Sequence, residues 1–455
     1  MVSNLATRHE GDDFYASLKA RADEIEGRYR ELSPISARLS EEAKAFEPGG
    51  YTRDAVRRKP YTLYIEKGEG SVLTDSDGRR IVDMWFNSTA LPLGHGDPRV
   101  VAVVNAQVAK GTAFFARTES EIELARIICD RLPSAERVRF ANSGSEAVML
   151  ALRIARGFTE RDLVIKFEGC YHGSYDDVLW SVGPPKEKFG PAESPTPVAA
   201  TAGLPAGLGR TLVLPFNDLS ALERAMASHR DELAGVIMEP MANRMGLIVP
   251  SQEFLEGARR LCDDHGAVLI FDEVIAFRLG FHGAQGFVGV DPDLTAMGKV
   301  IGGGFPVGAI AGREEVMSVT DPDRVGRVAH FGTFNANPVT MAAGKATMEA
   351  LTSDVFEHLN ARGAGVRRRL EELCDGLPLR ITGAGSLFKV NATPHEITDY
   401  RSSLTRDAAW ERIASLALLN EGFMLTSGLH GTIGTSTTDG QLDAFLSAFE
   451  AVIRS

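Results

Sequence analysis

The sequence predicts an α/β fold in which helices flank a mostly parallel β-sheet. Three observations lead to this prediction. From about residue 97 onward, short apolar strands alternate with helical patterns, which is the order found in βαβ units. The strands are continuously apolar, which indicates a sheet that is buried on both faces. The chain has 455 residues, enough for a large core and more than one domain.

The N-terminal segment predicts a helical arm followed by short strands. Apolar residues between Phe14 and Leu32 recur at every third or fourth position, which is one face of a helix. A second, shorter helix is predicted over 35–46, and Pro48-Gly49-Gly50 ends the arm. Short strands are predicted over 61–65, 71–74 and 80–83.

The central and C-terminal regions supply the main sheet and its helices. Thr118 and Glu121 predict a capping box at the start of a helix. The Pro-, Gly- and Ala-rich segment 181–209 predicts a long loop, and long loops in compact domains are often functional. Helices are predicted to begin near Pro338 and to end the chain over 439–454. The sheet strands are predicted over 138–141, 163–166, 235–238 and 267–271.

These elements divide the chain into three parts. Residues 1–65 are predicted to form an N-terminal arm and part of a small domain. Residues 66–345 are predicted to form a large domain built on the main sheet. Residues 346–455, rich in helices with short strands, are predicted to complete the small α+β domain.

The composition argues against several classes of function. The net charge of −12 argues against nucleic acid or an anionic membrane as the main partner. The 4 cysteines are widely spaced and form no CxxC or His/Cys cluster, so neither zinc nor a disulfide scaffold is expected. The N-terminus is polar and acidic, unlike a signal peptide, and no apolar run reaches the ~18 residues of a membrane span. The expectation is a cytoplasmic protein.

A carboxylate at a strand end and a lysine further along the chain carry the functional prediction. Asp272 ends the apolar strand 267–271, and Lys299 follows 27 residues later, just ahead of a glycine triplet. A lysine can form a Schiff base with an aldehyde cofactor, and a carboxylate can keep that cofactor's ring nitrogen protonated. Either residue alone would more often be structural. Together they predict the chemistry of pyridoxal phosphate (PLP).

Further polar groups follow neighbouring strands. Ser143-Gly144-Ser145 stands between a strand and a helix start, where free N–H groups and the helix dipole suit a phosphate, although an ordinary helix cap has the same pattern. Tyr171 and Glu239 follow two other strands, and ligands of such sheets bind at the edge where strands end. Asn243 is close to Glu239 in sequence. Thr333 precedes the helix near Pro338 and could donate to a phosphate.

Taken in chain order, these motifs resemble the class III aminotransferases, which are fold-type I PLP enzymes. The most similar branch is that of the glutamate-1-semialdehyde 2,1-aminomutases, and the segment around 420–424 also resembles the β-amino acid aminotransferases. The resemblance extends from about residue 45 to the C-terminus. The motifs that carry it are 142–147, 165–173, 239–240, 272–274, 298–304 and 332–333.

The resemblance implies a role for each residue of the cofactor site and makes 66–345 the PLP-binding domain. Lys299 would bind the cofactor covalently, and Asp272 would pair with its ring nitrogen. Thr333 would complete the phosphate site of the neighbouring subunit, because the family's active sites lie at a homodimer interface. The other implied contacts are Ser143, Gly144 and Ser145 at the phosphate and Tyr171 and Val274 on the two ring faces. His172, Glu239 and Asn243 are further candidates for binding the cofactor.

At the substrate end, the resemblance implies that Arg53 binds a carboxylate. Arg57 and Arg58 are nearby alternatives, and each of the three could instead be a solvated surface arginine. Leu425, Trp85 and Phe86 are candidate walls of a pocket for apolar donors.

The C-terminal segment departs from the β-amino acid enzymes at one point. Those enzymes can carry a second, mobile arginine there, whereas no arginine lies between Arg412 and Arg454 in this chain. The departure argues against the handling of dicarboxylates or α-keto acids by that route.

The implied activity is amino-group transfer from an amino acid, including β-amino acids, or a simple amine to a keto acid or aldehyde. Two alternatives stay open. A 2,1-aminomutase would use the same groups but keep the intermediate bound. A PLP-fold protein without catalysis would be signalled by loss of the lysine or the aspartate, and both are present.

Overall fold

The computed structural model describes residues 13–205 and 210–454. The N-terminal residues 1–12 and the last part of the predicted loop, 206–209, lie outside the described residues. The strands of the described chain are β1 (Ile65–Glu69), β2 (Val72–Asp75), β3 (Arg80–Asp83), β4 (Arg137–Ala141), β5 (Leu163–Phe167), β6 (Thr211–Leu214), β7 (Leu233–Met238), β8 (Val268–Asp272), β9 (Leu294–Gly298), β10 (Gly308–Gly312), β11 (Arg380–Thr382), β12 (Leu387–Asn391), β13 (Phe423–Met424) and β14 (His430–Thr432).

The helices of the described chain surround these strands, and none of them is both long and apolar enough to cross a membrane. They are α1 (13–20), α2 (Ala22–Leu32), α3 (Pro34–Ala43), α4 (Phe86–Thr89), α5 (Pro98–Val108), α6 (Glu119–Arg131), α7 (Gly144–Thr159), α8 (Leu219–Ser228), α9 (Asn243–Gly246), α10 (Gln252–His265), α11 (Gly283–Val288), α12 (Glu314–Met317), α13 (Pro338–Ala350), α14 (Ser353–Leu373), α15 (Tyr400–Ser403), α16 (Ala408–Asn420) and α17 (Asp439–Arg454).

The central sheet has seven strands in the order β4-β10-β9-β8-β7-β5-β6. Strands β9, β8, β7, β5 and β6 run parallel to one another. Strand β10 is antiparallel to both β4 and β9, so β4 points in the same direction as β9. The predicted α/β fold with a mostly parallel sheet is therefore confirmed.

Both faces of this sheet are covered, as its apolar strands require. Successive side chains of β8 point to opposite faces. Leu269 and Phe271 pack in a cluster with Phe254 of α10. Ile270 packs on the other face, in a cluster with the buried side of α7. Each such buried side chain stabilises the fold by roughly 1.5–3 kcal/mol relative to an exposed one.

The parallel strands bring the predicted site residues to one edge of the sheet. Chain segments that leave β4, β5, β7, β8 and β9 all emerge at the same edge, because these strands share a direction. Ser143, Tyr171 and Glu239 follow the first three of these strands. Asp272 ends β8, and Lys299 immediately follows β9.

The N- and C-terminal segments pack together around a core of their own. Tyr29 of α2, Trp410 of α16 and Phe445 of α17 are almost fully buried in one apolar cluster. Two smaller sheets belong to this part of the molecule, with strand orders β1-β2-β3-β13 and β11-β12-β14. The pairing of β13 with β3 joins the two segments directly. The exact domain boundaries stay a prediction.

Several local predictions differ from the structure for identifiable reasons. The first strand begins at Ile65 rather than at residue 61, because Tyr61 is held against the arm, where its carbonyl accepts a hydrogen bond from the Tyr29 hydroxyl at 2.9 Å. The capping box is wrong, since the Glu121 carboxylate pairs with Arg117 at 3.1 Å instead of turning back to the cap. Strands β6, β9 and β10 were not predicted.

The described part of the predicted loop is anchored at its middle. Arg401 of α15 makes an ion pair of 2.9 Å with the buried carboxylate of Glu168. The same guanidinium donates to the carbonyls of Phe189, Gly190 and Pro191 at 2.9–3.1 Å. Segment 189–191 is thereby fixed to residues that lie just ahead of Tyr171.

Candidate active site

A cavity of about 210 Å³ lies at the edge of the sheet where the parallel strands end. It contains every residue of the predicted cofactor site except Thr333. Three further residues, Gly173, Arg244 and Ile275, line the cavity and are not among the predicted site residues. The lining consists of Ser143, Gly144, Ser145, Tyr171, His172, Gly173, Glu239, Asn243, Arg244, Asp272, Val274, Ile275 and Lys299.

Asp272 is held in a fixed orientation at the end of β8. One carboxylate oxygen accepts a hydrogen bond from the Val274 backbone N–H at 3.1 Å. The other lies 2.9 Å from Nδ1 of His172, which is almost fully buried. Because the carboxylate accepts, Nδ1 carries the proton, and Nε2 has no partner among the described residues. The pair presents a positioned negative group to the cavity.

Lys299 enters the same cavity from the end of β9. Its backbone is left-handed, with φ of 49°, which turns the chain sharply after Gly298. Burial lowers the pKa of the Lys299 amine, Asp272 and Glu239 oppose that shift, and the charge of Arg53 adds to it. Within the described chain the amine has no hydrogen-bond or ion-pair partner. A lysine with a lowered pKa is more often neutral and nucleophilic near pH 7.

The start of α7 forms a cradle suited to an anion. The Ser143 hydroxyl accepts from the Glu146 N–H at 3.2 Å, whereas the N–H groups of Gly144 and Ser145 have no acceptor in the described chain. α7 has 16 residues, so its positive dipole end adds to these donors. A Cβ at Gly173 would lie 2.4 Å from the Ser145 hydroxyl oxygen, so the cradle needs a glycine there.

Glu239 positions its neighbours through their backbones. Its two carboxylate oxygens accept from the N–H groups of Tyr171 at 3.0 Å and Asn243 at 3.1 Å. Burial raises the pKa of this carboxylic acid, which the nearby His172 opposes. The Tyr171 ring is 39% exposed at the cavity, so one of its faces is available to a planar ligand.

These groups fit PLP as a set. The unpaired Lys299 amine suits an aldehyde, and the Asp272 carboxylate suits a protonated ring nitrogen. The cradle at α7 suits a phosphate, and Tyr171 suits an aromatic ring. The absence of a side chain at Gly144 matters as well, since a Cβ there would come within 2.8 Å of Val274 on the opposite wall.

The predicted substrate residues lie mostly in a second cavity of about 470 Å³. Arg53, Trp85 and Leu425 line it, together with Arg57 and Arg58. The Arg53 guanidinium is exposed and donates to the Asn87 side-chain oxygen at 3.2 Å.

The structure gives Arg58 a structural role and shows that Phe86 is not a wall of the substrate cavity. Arg58 donates to the Leu425 carbonyl at 2.6 Å and to the Ser415 hydroxyl at 3.1 Å, so its guanidinium ties the arm to the C-terminal segment. Phe86 does not line the cavity, because it is fully buried and stacks on the His95 ring. It lies in a left-handed turn, with φ of 47°, that directs it into the core.

Thr333 does not join the other cofactor residues within the chain. It is exposed and lines a different cavity of about 700 Å³, together with Phe114 and Phe334. Of the unexpected residues, Arg244 stands directly after Asn243, and its guanidinium lies 5.8 Å from the Tyr171 ring centre. The sequence offered only that adjacency as a signal.

Comparison with known proteins gives a family and close structural neighbours. The family model described as Aminotransferase class-III matches residues 54–453. A glutamate-1-semialdehyde 2,1-aminomutase of Roseiflexus castenholzii is 43% identical over 401 residues, or 86% of this chain and 90% of that protein. An ω-transaminase structure from Sphaerobacter thermophilus matches with a TM-score of 0.89 and 43% identity, covering 94% of this chain and 98% of that one. A β-phenylalanine aminotransferase of Variovorax paradoxus matches with a TM-score of 0.88 and 33% identity, covering 96% and 97%.

The matches extend over most of the chain and nearly the full length of the relatives. They include an aminomutase and two aminotransferases, so the shared property is the family rather than one reaction. The lysine, the carboxylate and the anion cradle of the cavity are the parts that a common cofactor needs. The chain belongs to the class-III aminotransferases, fold-type I enzymes that depend on pyridoxal phosphate.

Proposed function

We propose that the protein is a transaminase that moves an amino group from an amino acid, with β-amino acids included, or a simple amine to a keto acid or aldehyde. The observation that carries the proposal is the meeting of Lys299 and Asp272 in one cavity, beside the anion cradle of α7. A non-catalytic binding protein would not need an unpaired amine with a lowered pKa at this point.

The residues divide the work between holding the cofactor and moving protons. When bound, PLP accepts the amino group and withdraws electrons from the carbon that bears it. Lys299 would hold the aldehyde carbon of the cofactor and, once free, would take the proton from the donor carbon. Asp272, oriented by His172, would keep a proton on the ring nitrogen. Ser143, Gly144 and Ser145 would hold the phosphate, and Tyr171 and Val274 would enclose the ring.

The second cavity favours transfer over an internal rearrangement. The 470 Å³ cavity has Trp85 and Leu425 in its walls and Arg53 at its rim. Such a pocket suits a donor with a carboxylate and a bulky apolar group, whereas glutamate-1-semialdehyde has a carboxylate but no bulky apolar group. The aminomutase remains the second candidate, because a relative of that name is 43% identical.

Release of a carbonyl product that has lost its amino group separates the two reactions. We expect the holoenzyme, mixed with one amino donor and no acceptor, to lose the visible absorbance of its cofactor and release one equivalent of keto product. Adding a keto acid should restore the absorbance. Mass spectrometry of the filtrate measures the product. If glutamate-1-semialdehyde gave only its isomer, with no product that has lost the amino group, the aminomutase would be established instead.

Replacement of the ring-nitrogen partner should stop turnover without unfolding the protein. We expect Asp272→Asn to lower kcat by about a hundredfold or more, because a neutral amide cannot stabilise a positive ring nitrogen. Asp75→Asn is the matched control: Asp75 is also fully buried and accepts backbone N–H groups, but it lies outside the cavity. Steady-state kinetics on both holoenzymes is the measurement. Near-normal turnover by Asp272→Asn would contradict the role.

Arg53 is the proposed anchor for the donor's carboxylate. Its guanidinium contributes to the lowering of the Lys299 pKa, so its charge acts within electrostatic reach of the reacting amine. Its hydrogen bond is to a neutral amide, that of Asn87. A guanidinium can bind a carboxylate through two parallel hydrogen bonds, which lysine cannot reproduce.

Two donors that differ in a carboxylate test this anchor. We expect Arg53→Met to lower kcat/KM for β-phenylalanine by about tenfold or more, with less than about threefold change for 1-phenylethylamine. Arg57→Met is the control, because Arg57 lines the same cavity. Equal losses on both donors would make Arg53 structural. A selective loss in Arg57→Met alone would move the anchor to Arg57.

Exposed aromatic residues around Thr333 support assembly into a homodimer. Phe331, Phe334 and Phe115 are 84%, 58% and 113% exposed, which is unusual for large apolar side chains on a monomer. Phe114 and Phe334 line the cavity that contains Thr333. A second copy that covers this surface would place Thr333 at the partner's phosphate cradle, and so complete the site.

The mass of the protein in solution, and the effect of a charge introduced at the proposed interface, test the dimer. We expect light scattering to give twice the 49.1 kDa chain mass at assay concentrations. Phe334→Glu should shift the mass toward the monomer and lower activity, because a carboxylate at an apolar interface is costly to desolvate. Phe287→Glu, at a similarly exposed phenylalanine outside this cavity, should leave the dimer intact. A fully active wild-type monomer would refute the assembly.

A further inference from the structure

The proposed reaction gives a role to every charged side chain that lines the cofactor cavity except one. Its charged side chains are Glu239, Asp272, Lys299 and Arg244. Glu239 accepts two backbone N–H groups, and Asp272 is paired with His172. Lys299 is committed to the cofactor. Arg244 is the remaining cation of this lining.

The Arg244 guanidinium is available to a ligand. It is exposed and has no hydrogen-bond or ion-pair partner in the described part of the chain. It lies over the face of Tyr171, at 5.8 Å from the ring centre. By contrast, the guanidinium of Arg401 is taken up by Glu168 and three carbonyls, and that of Arg58 by Leu425 and Ser415.

The backbone beneath Arg244 is held on both sides. The N–H of Asn243 donates to Glu239 at 3.1 Å, and the Asn243 carbonyl lies 3.2 Å from Nε2 of His430. Ala242 and Ile248 exchange two hydrogen bonds of 2.7 and 3.1 Å across the short helix α9. A long side chain on a fixed base can reach for a ligand while its Cα stays in place.

A ligand with two carboxylates needs two positive groups near Lys299. Arg53 lines the 470 Å³ cavity and supplies one of them. The other cations of that lining are Arg58, which is bonded to Leu425 and Ser415, Lys67, which is paired with Glu69, and Arg57. The C-terminal stretch that also lines the cavity adds none, because residues 413–453 contain neither lysine nor arginine. Arg244 lies in the other cavity, with Lys299 itself.

We infer that Arg244 is a second carboxylate anchor, which lets the enzyme accept dicarboxylic 2-oxo acids as amino acceptors. The inference rests on the proposed transaminase function and names the acceptor class of that same site. Arg53 binds the carboxylate shared by all acidic substrates, and Arg244 binds the distal carboxylate. Arg244 thus determines specificity and takes no part in proton transfer.

Binding of unreactive acids tests this anchor without turnover. Glutarate and pentanoate have the same chain length and differ by one carboxylate. We expect titration calorimetry on the holoenzyme to give a Kd for glutarate at least about tenfold below that for pentanoate. Arg244→Met should remove this difference, and Arg244→Lys should retain part of it. Arg224→Met, at an exposed arginine on α8, is the control and should bind both acids as the wild type does.

Kinetics on two acceptors gives the second readout. With one amine donor, Arg244→Met should lower kcat/KM for 2-oxoglutarate by about tenfold or more and change that for pyruvate by less than about threefold. Three results would overturn the anchor: no preference of the wild type for glutarate, equal losses on both acids, or a loss of bound cofactor that accounts for the effect. If no acceptor is aminated by the wild type, the transaminase proposal fails, while the glutarate titration still decides the role of Arg244.

Discussion

The shared direction of five strands is the constraint on which the site depends. Because β4, β5, β7, β8 and β9 end at one edge, residues far apart in sequence meet in a cavity of about 210 Å³. Strands β5, β7, β8 and β9 are buried along their whole length, and β4 is buried at its last two residues, so the strand ends are fixed by the core rather than by the loops that follow. The site is therefore positioned by strand ends that the packed core holds in place.

Each of the two buried carboxylates in the cavity accepts hydrogen bonds from its own donors, which fix its orientation. Asp272 is fixed by Val274 and His172, and Glu239 by the backbones of Tyr171 and Asn243. A buried charge without such partners would be strongly destabilising. Since both carboxylates are satisfied, neither draws the Lys299 amine into an ion pair. The amine stays available to a carbonyl group.

Features that have a local sequence pattern could be predicted, whereas features that depend on contacts between distant residues could not. Lys299 and Asp272 could be found because strand ends and glycine-rich turns are local patterns, and the parallel sheet follows from apolar runs. The contact of His172 with Asp272 joins residues 100 apart in sequence, and only the packed sheet brings them together. Phe86 was misplaced as a pocket wall because nothing in its neighbours signals four successive residues with positive φ. Arg244 could not be predicted, because an exposed arginine has no distinguishing sequence signal and only the structure places it in the cavity.

The division into two cavities explains why relatives with different reactions are equally similar to this chain. An aminomutase and an ω-transaminase are both 43% identical to it, and both reactions need the same lysine, carboxylate and phosphate cradle. Those groups sit at strand ends, where change is costly. The groups proposed to select the substrate are exposed side chains, with Arg53 on a connecting segment and Arg244 on the one-turn helix α9. Substitutions there cost little stability, so the choice of substrate can change while the cofactor chemistry is retained.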